Sequence, residues 1–269
     1  LYEQAHTPWE WHKPIFERAR ERGLVPFSSP FDPAAIDLLE GLDCPLYKVA
    51  SAEIVDLPLI RAMASTGKPL IISTGAATVG EIADAVAIAR GTGNDNIVVL
   101  GCTAAYPADD NDCNLRKLPV IADAFDCLVG YSDHTHGVGA SVAAVVLGAC
   151  VIEKHVTTSR DDGGVDSAFS LGREELASLV VETERAWRAL GAPRIGPVEN
   201  EQTVRKLRRS LYVTRDVKAG EAVSEDSVRS VRPANGLPTI AMDRLQGWVF
   251  ARDVAFATPT DWEMFAPPR

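Results

Sequence analysis

A chain of 269 residues with 46% hydrophobic and 24% charged residues is globular in composition, which excludes a disordered or low-complexity protein. Its 27 basic and 37 acidic residues leave a net charge of −10, which argues against a nucleic-acid or acidic-membrane partner. An anionic substrate would therefore need a local cluster of Lys, Arg or metal. The longest weakly polar run, Ala140 to Ile152, is too short to span a bilayer, no signal peptide opens the chain, and five cysteines without a C-x-x-C pair suit a reducing, cytoplasmic compartment.

Helix-like and strand-like segments alternate along the first two thirds. Pro8 to Gly23 reads as a helix, with Pro8 near its first turn and Gly23 as its stop. The apolar run Leu24 to Ser28 follows, then a helix from Asp32–Pro33 and a strand over Pro45 to Ala50. Another helix starts near Asp56–Pro58, and Pro69 to Ser73 is the next strand. Thr78 to Arg90 spaces its apolar residues as an amphipathic helix does. Ile97 to Cys102, Leu128 to Ser132 and Cys150 to His155 are further strand-like runs, and Glu174 to Leu190 is a last long helix.

Short apolar runs of this kind are strands buried on both faces of a parallel sheet, and βα repeats in this number predict a closed (β/α)8 TIM barrel. Six strands are counted where such a barrel needs eight. The chain also begins Leu-Tyr-Glu-Gln without an initiator Met, so the expectation is an α/β barrel lacking its first two βα units. The composition shifts after residue 192. Residues 1–192 are expected to form the barrel domain, 193–207 a linker, and 208–269 a small β-rich domain. In that tail, Thr214-Arg215-Asp216-Val217 recurs as Ala251-Arg252-Asp253-Val254, each copy leading into a turn, Lys218 to Gly220 and then Ala255 to Ala257.

Two histidines are the first chemical signal. His134 follows one strand and His155 ends the next, and adjacent parallel strands lie about 4.8 Å apart with their carboxyl ends on one face. The two imidazoles can share one divalent ion, with Asp133 and Glu153 close by to orient them; the plainer reading is a pair of strand-end histidines bonded to backbone. His136 falls in the following loop, and His6 and His12 read as structural or exposed. Lys48 and Lys154 sit inside runs that should be buried, so each needs a partner: an ion pair with a carboxylate such as Glu53 or Glu153, or an anionic ligand. Hydroxyls recur at the strand ends (Ser28–Ser29, Ser51, Ser73–Thr74, Thr103 and Ser132), as an oxyanion pocket requires. Asp161 to Ser167 contains two glycines and reads either as a surface loop or as backbone passing close to a ligand. Arg232, on a Pro/Gly turn, can present a guanidinium.

Taken together, Ser28-Ser29-Pro30-Phe31, Tyr47-Lys48-Val49-Ala50-Ser51-Ala52-Glu53, Ser73-Thr74-Gly75, Cys102 to Pro107, Tyr131-Ser132-Asp133-His134-Thr135 and Ile152-Glu153-Lys154-His155 resemble the sialic acid synthase family. Arg208 to Tyr212 and Val231 to Gly236 resemble that family's antifreeze-like SAF domain, a β-clip fold. Within the family, Asp162 to Ser170 looks like the pseudaminic acid branch, whereas the N-acetylneuraminate and legionaminate branches usually carry a Gly-Pro-Asp-His type sequence there.

The resemblance implies a transferase that condenses phosphoenolpyruvate with 2,4-diacetamido-2,4,6-trideoxy-L-altrose and releases phosphate. The alternatives are the two sister synthases, or a non-catalytic carbohydrate-binding fragment. It further implies that His134 and His155 ligate Mn2+, or Mg2+ or Co2+ in its place. Lys48 with Ser29, Ser51, Ser73 and Ser132 would hold the phosphate and carboxylate of phosphoenolpyruvate; Lys154 is a substrate-binding candidate from its buried place alone. Glu53, Tyr106 and Asp166 would face the sugar, and Glu53 or Asp133 would handle a water's proton. Arg232 would reach a neighbouring subunit's site in a domain-swapped homodimer. Ala104 stands where the sialic acid branch usually has Asn, and a further Lys, Gln and Glu that the family draws from its first strands are not found in this chain.

Overall fold

The computed structural model describes residues 7–268, and it falls into two compact units that divide between Gly191 and Ala192. His6 lies outside the described residues.

In the first unit the helices start where the sequence supplies caps. Helix α1 (Trp9–Glu21) follows Pro8, and Gly23 leaves it with a φ of 74°. Asp32 accepts the Ala35 amide to start α2 (Pro33–Glu40), and Asp56 accepts the Leu59 amide to start α3 (Leu57–Ala64). Thr78 and Glu81 form a capping box at the head of α4 (Val79–Arg90). Helices α5 (Lys117–Phe125), α6 (Gly139–Val146) and α7 (Arg173–Leu190) complete the unit.

Between them run β1 (Tyr47–Val49), β2 (Leu70–Ser73), β3 (Ile97–Cys102), β4 (Leu128–Asp133) and β5 (Val151–Lys154), all parallel and in the order β1-β2-β3-β4-β5. The sixth expected strand, Leu24 to Ser28, is reduced to one parallel bridge between Ser28 and Tyr47, and Leu24 and Val25 are exposed. Among the described residues the sheet therefore has five strands rather than six.

A strand order without reversal, joined by right-handed crossovers, keeps all the helices on one face. The sheet curls into a half-barrel around its other face. Register assigns the faces. Tyr47, Leu70, Ile72, Val99, Gly101, Tyr131 and Asp133 share the helix side, where a side chain at Gly101 would meet Leu118 of α5. The concave side carries Lys48, Ile71, Ser73, Leu100, Cys102, Gly130, Ser132 and Glu153. Gly130 is required there, because a Cβ would sit 2.6 Å from the Val151 carbonyl oxygen. The core of this unit lies between sheet and helices, around the fully buried Tyr47, Ile60, Met63, Leu70, Ile72 and Tyr131.

The second unit begins with a 3-10 turn (Glu199–Glu201) and α8 (Gln202–Lys206). Strand β6 (Ser210–Val213) pairs antiparallel with β7 (Val228–Val231), α9 (Ala241–Leu245) follows, and β8 (Val249–Phe250) pairs with β9 (Phe265–Ala266). The repeat seen in the sequence becomes an internal two-fold. Val217 and Val254 exchange backbone hydrogen bonds at 3.0 and 3.1 Å. Asp216 accepts the Phe256 amide (2.8 Å), and Asp253 accepts the Ala219 amide (2.9 Å). Gly220 donates to the Phe250 carbonyl as Ala257 donates to that of Val213. Leu211, Val213, Val228, Leu245 and Phe250 form a separate core.

The two-fold also exposes one mismatch. Gly220 and Ala257 occupy equivalent left-handed positions, at φ 86° and 63°, and only glycine adopts that conformation without strain. Ala257→Gly should therefore stabilise the protein by about 1 kcal/mol. The measurement is a rise in the urea unfolding midpoint; an unchanged or lower midpoint would show that Ala257 carries no strain.

Candidate active site

The concave face ends in a polar cluster at the carboxyl ends of the strands. Lys48, 8% exposed, lies 3.3 Å from Glu153 Oε2, and Ser132 Oγ donates to Glu153 Oε1 at 2.7 Å. Lys48 thus has one of the two carboxylate partners expected of it, Glu153, which stands between Lys48 and Ser132. The Ser51 hydroxyl accepts the Gly75 amide at 3.0 Å, and Gly75 must be glycine because a Cβ would meet Ser51 Oγ at 2.7 Å. Ser73 Oγ and Glu53 Oε2 are buried without a hydrogen-bond partner. A buried donor and a buried acceptor left open are what a bound ligand would satisfy.

Beside this polar floor stand the two histidines, with ring centres 5.2 Å apart. The His134 Nδ1 bonds the Thr103 carbonyl at 2.9 Å, which leaves Nε2 as the free nitrogen. His155 Nδ1 lies 3.3 Å from Asp166 Oδ2, the same arrangement with a carboxylate in place of the carbonyl. Burial disfavours the His134 cation, but the Cys102 thiol and the Thr103 carbonyl outweigh it and hold the pKa above the ordinary value. Burial lowers the pKa of His155; Asp166 opposes that and the His134 charge adds to it.

Tyr106 lies 4.3 Å from His134 between ring centres, and Phe169 lies 5.1 Å from His155. Phe169 and Asp166 arrive on the loop after β5. Residues 161–165 are exposed, as a surface loop would be, while the chain after them is tied down: Leu171 bonds back to the His155 carbonyl, Ser170 closes on the Asp166 carbonyl, and Arg160 before them pairs with Glu175.

The structure does not bring every expected residue into the cluster. Asp133 and Lys154 face the helices and pair with each other at 2.9 Å, with side chains 0% and 3% exposed. Asp133 was expected to handle a proton and Lys154 to bind an anion. Strand pleating turns both away, because each stands one residue before a histidine that points to the concave side. Ser29 lines a separate cavity of about 300 Å³ with Thr7, Trp9, His12 and Asp32. Arg232 is exposed in the second unit. His12 bonds the Pro8 carbonyl, and His136 is exposed in its loop.

Sequence reasoning left out of the site Cys102, Phe169 and the Thr103 carbonyl, and placed Glu153 only near the histidines and lysines, without choosing its partner. For Glu153 the missing signal was parity, since it shares a strand face with His155 while Lys154 does not.

The residues present can hold a divalent ion. Two imidazoles sharing one ion at about 2.1 Å place their ring centres roughly 5 Å apart. Each Nδ1 is occupied, which leaves each Nε2 free to ligate. Among the described residues, no group of three or more His, Cys, Asp or Glu gathers around a common point.

A parallel half-barrel with a cationic and hydroxyl-rich floor at its strand ends, next to paired histidines, defines an α/β enzyme site. The chain belongs to the NeuB family, whose model matches residues 1–194, and a SAF domain model matches residues 208–266. It is 43% identical over 239 residues to the pseudaminic acid synthase of Helicobacter pylori, covering 88% of this chain and 70% of that protein. It is 40% identical over 256 residues to a pseudaminic acid synthase of Campylobacter jejuni, covering 95% and 75%. Among solved structures, the N-acetylneuraminic acid synthetase of Leptospira borgpetersenii, in complex with citrate, aligns with a TM-score of 0.70 at 32% identity, covering 74% of this chain and 70% of that one.

Proposed function

We propose that this chain condenses phosphoenolpyruvate with 2,4-diacetamido-2,4,6-trideoxy-L-altrose to form a nonulosonic acid and phosphate. The observation that carries the reading is the buried Lys48, held beside Ser132 on Glu153 and next to the paired histidines. The similarity to two pseudaminic acid synthases points to the sugar.

Lys48 with Ser51, Ser73 and Ser132 holds the phosphate and carboxylate of phosphoenolpyruvate; the open Ser73 hydroxyl is a donor waiting for an anionic oxygen. Glu53, whose buried oxygen has no partner, accepts from the sugar, and Tyr106 and Asp166 flank the same opening. A divalent ion held by His134 and His155, Mn2+ before Mg2+ or Co2+, would supply Lewis-acid polarisation of the sugar aldehyde. Carbon 3 of phosphoenolpyruvate attacks the aldehyde carbon, and carbon 2 takes up a water. The resulting tetrahedral carbon expels phosphate and leaves the 2-keto acid. Glu53 accepts one proton of that water, an equivalent proton ends on the former aldehyde oxygen as its hydroxyl, and the other leaves with phosphate as the carbon 2 hydroxyl becomes the keto group.

On this reading the half-barrel is the later part of a (β/α)8 barrel spanning residues 1–192, with two βα units outside this chain. Residues 193–207 form the linker and 208–269 the SAF domain. Arg232 serves a neighbouring subunit's site in a domain-swapped homodimer, where it meets the sugar's acyl group. The enzyme works in the cytoplasm. No helix among the described residues is long and apolar enough to cross a membrane.

The test is phosphate release from phosphoenolpyruvate with Mn2+, comparing the trideoxy diacetamido hexose with N-acetylmannosamine. Release with the first sugar alone is expected. Release with N-acetylmannosamine alone would move the chain to the neuraminate branch. Tight Mn2+ binding with no release from either sugar would leave a carbohydrate-binding protein without this chemistry.

A further inference from the structure

Behind the two histidines, on the opposite face of the sheet, lies a closed polar network. Asp133 Oδ2 meets Lys154 Nζ at 2.9 Å and accepts the Ser141 hydroxyl of α6 at 2.5 Å. Asp133 Oδ1 accepts both the amide and the hydroxyl of Thr135, at 2.9 and 2.8 Å. Lys154 also donates to the Thr135 carbonyl at 2.6 Å. All four side chains are buried, and no ligand can reach the pair from the concave side.

Asp133 and Lys154 are register partners on β4 and β5, and His134 and His155 are the next residues on the same strands. Whatever fixes the first pair fixes the second. The strands end at Asp133 and Lys154, and the His134 and His155 carbonyls turn to other segments, accepting the Ala108 and Leu171 amides. Thr135 then carries the clamp past His134: its backbone bonds Asp133 on one side and Lys154 on the other.

We propose that the Asp133–Lys154 pair, closed by Thr135 and Ser141, is the positioning element that sets His134 and His155 at the spacing one divalent ion requires. Its members are positioning residues that touch neither substrate nor ion. The inference rests on the reading of the two histidines as metal ligands.

The experiment measures Mn2+ affinity by the electron paramagnetic resonance signal of the free ion, without substrates. The first variant is the neutral pair Asp133→Asn with Lys154→Met, which keeps the volumes and removes the charges together. Its dissociation constant is expected to rise about 10–100-fold, as when groups that orient metal ligands are lost. Met63→Ala, a core truncation on α3, is the control for lost stability and should leave the constant within twofold. A pair variant that is folded and binds within twofold of the parent overturns the proposal. So does an equal loss in Met63→Ala, which would mark general loosening. His155→Ala run alongside separates the two readings: if it too keeps Mn2+ binding, the metal assignment itself falls. Should the pair variant not fold, Ser141→Ala removes one bond to Asp133. A threefold or larger rise then supports the clamp, and no rise refutes it.

Discussion

His155→Ala is expected to lower kcat/KM for phosphate release by about 10³-fold, roughly 4 kcal/mol of transition-state stabilisation. The size follows from what the ring does. Its ring is one of two imidazoles placed 5.2 Å apart, and with Nδ1 held 3.3 Å from Asp166 the other nitrogen, Nε2, is left for a ligand. On the proposed reading, removing the ring would cost the ion a ligand and leave the negative charge developing on the aldehyde oxygen less stabilised. Folding should be spared, because His155 lies at the mouth with its side chain 32% exposed, not in the core. Circular dichroism and the unfolding midpoint check that. Activity within tenfold of the parent, in a folded variant, would remove His155 from the chemistry.

Lys48→Met is expected to raise the phosphoenolpyruvate KM by about 10–100-fold, in line with about 1.5–3 kcal/mol for a hydrogen bond to a charged group. Two effects compete. Lys48 also neutralises Glu153, so the substitution leaves a carboxylate less well partnered, though that carboxylate is 37% exposed and keeps the Ser132 hydroxyl. Water can therefore screen it, and the loss of substrate contact should dominate over the loss of stability. Glu153→Gln separates the two. If Lys48 matters only as the partner of Glu153, both variants will behave alike. If Lys48 binds phosphoenolpyruvate, only Lys48→Met moves that KM strongly. Equal KM values for all three proteins would take Lys48 out of the binding site.

Much of this architecture is written locally in the chain. Asp32, Asp56 and Thr78 announce their helices because a side-chain oxygen must meet a free amide at the first turn, and each does. Strands β2 to β5 are legible as short apolar runs because both faces of a parallel sheet are covered. The run Leu24 to Ser28 has the same composition, yet only Ser28 pairs. A strand needs a neighbour on its ladder, and composition does not say whether one is present.

The site shows a similar division. His134, His155, Lys48 and Ser132 are visible from their place at strand ends. Asp133 and Lys154 look equally good in the sequence, but alternation of side chains sends them to the helix face. Counting parity from the histidines would have separated them and put Glu153 on the histidine face. Phe169 and Asp166 return from a loop whose path depends on distant bonds, Arg160 to Glu175 and Leu171 to His155, so no local pattern foretells where they land. The tail repeat was visible as a sequence echo. That its copies pair with each other is a property of the folded unit.

That self-pairing has a further implication. Each half of the second unit holds the other by the same bonds, as the subunits of a symmetric dimer do, but both halves share one covalent chain. Two identical subunits must change together, because one gene encodes both. Fused halves are released from that constraint. The first turn has Gly220, and its Lys218 pairs with Asp253 at 2.7 Å; the second has Ala257 and, opposite Asp216 where Lys218 has its equivalent, the uncharged Ala255. The backbone bonds that join the halves are common to both copies, while the side chains around them have become private to each. One copy can thus acquire a surface contact that its twin never has to tolerate.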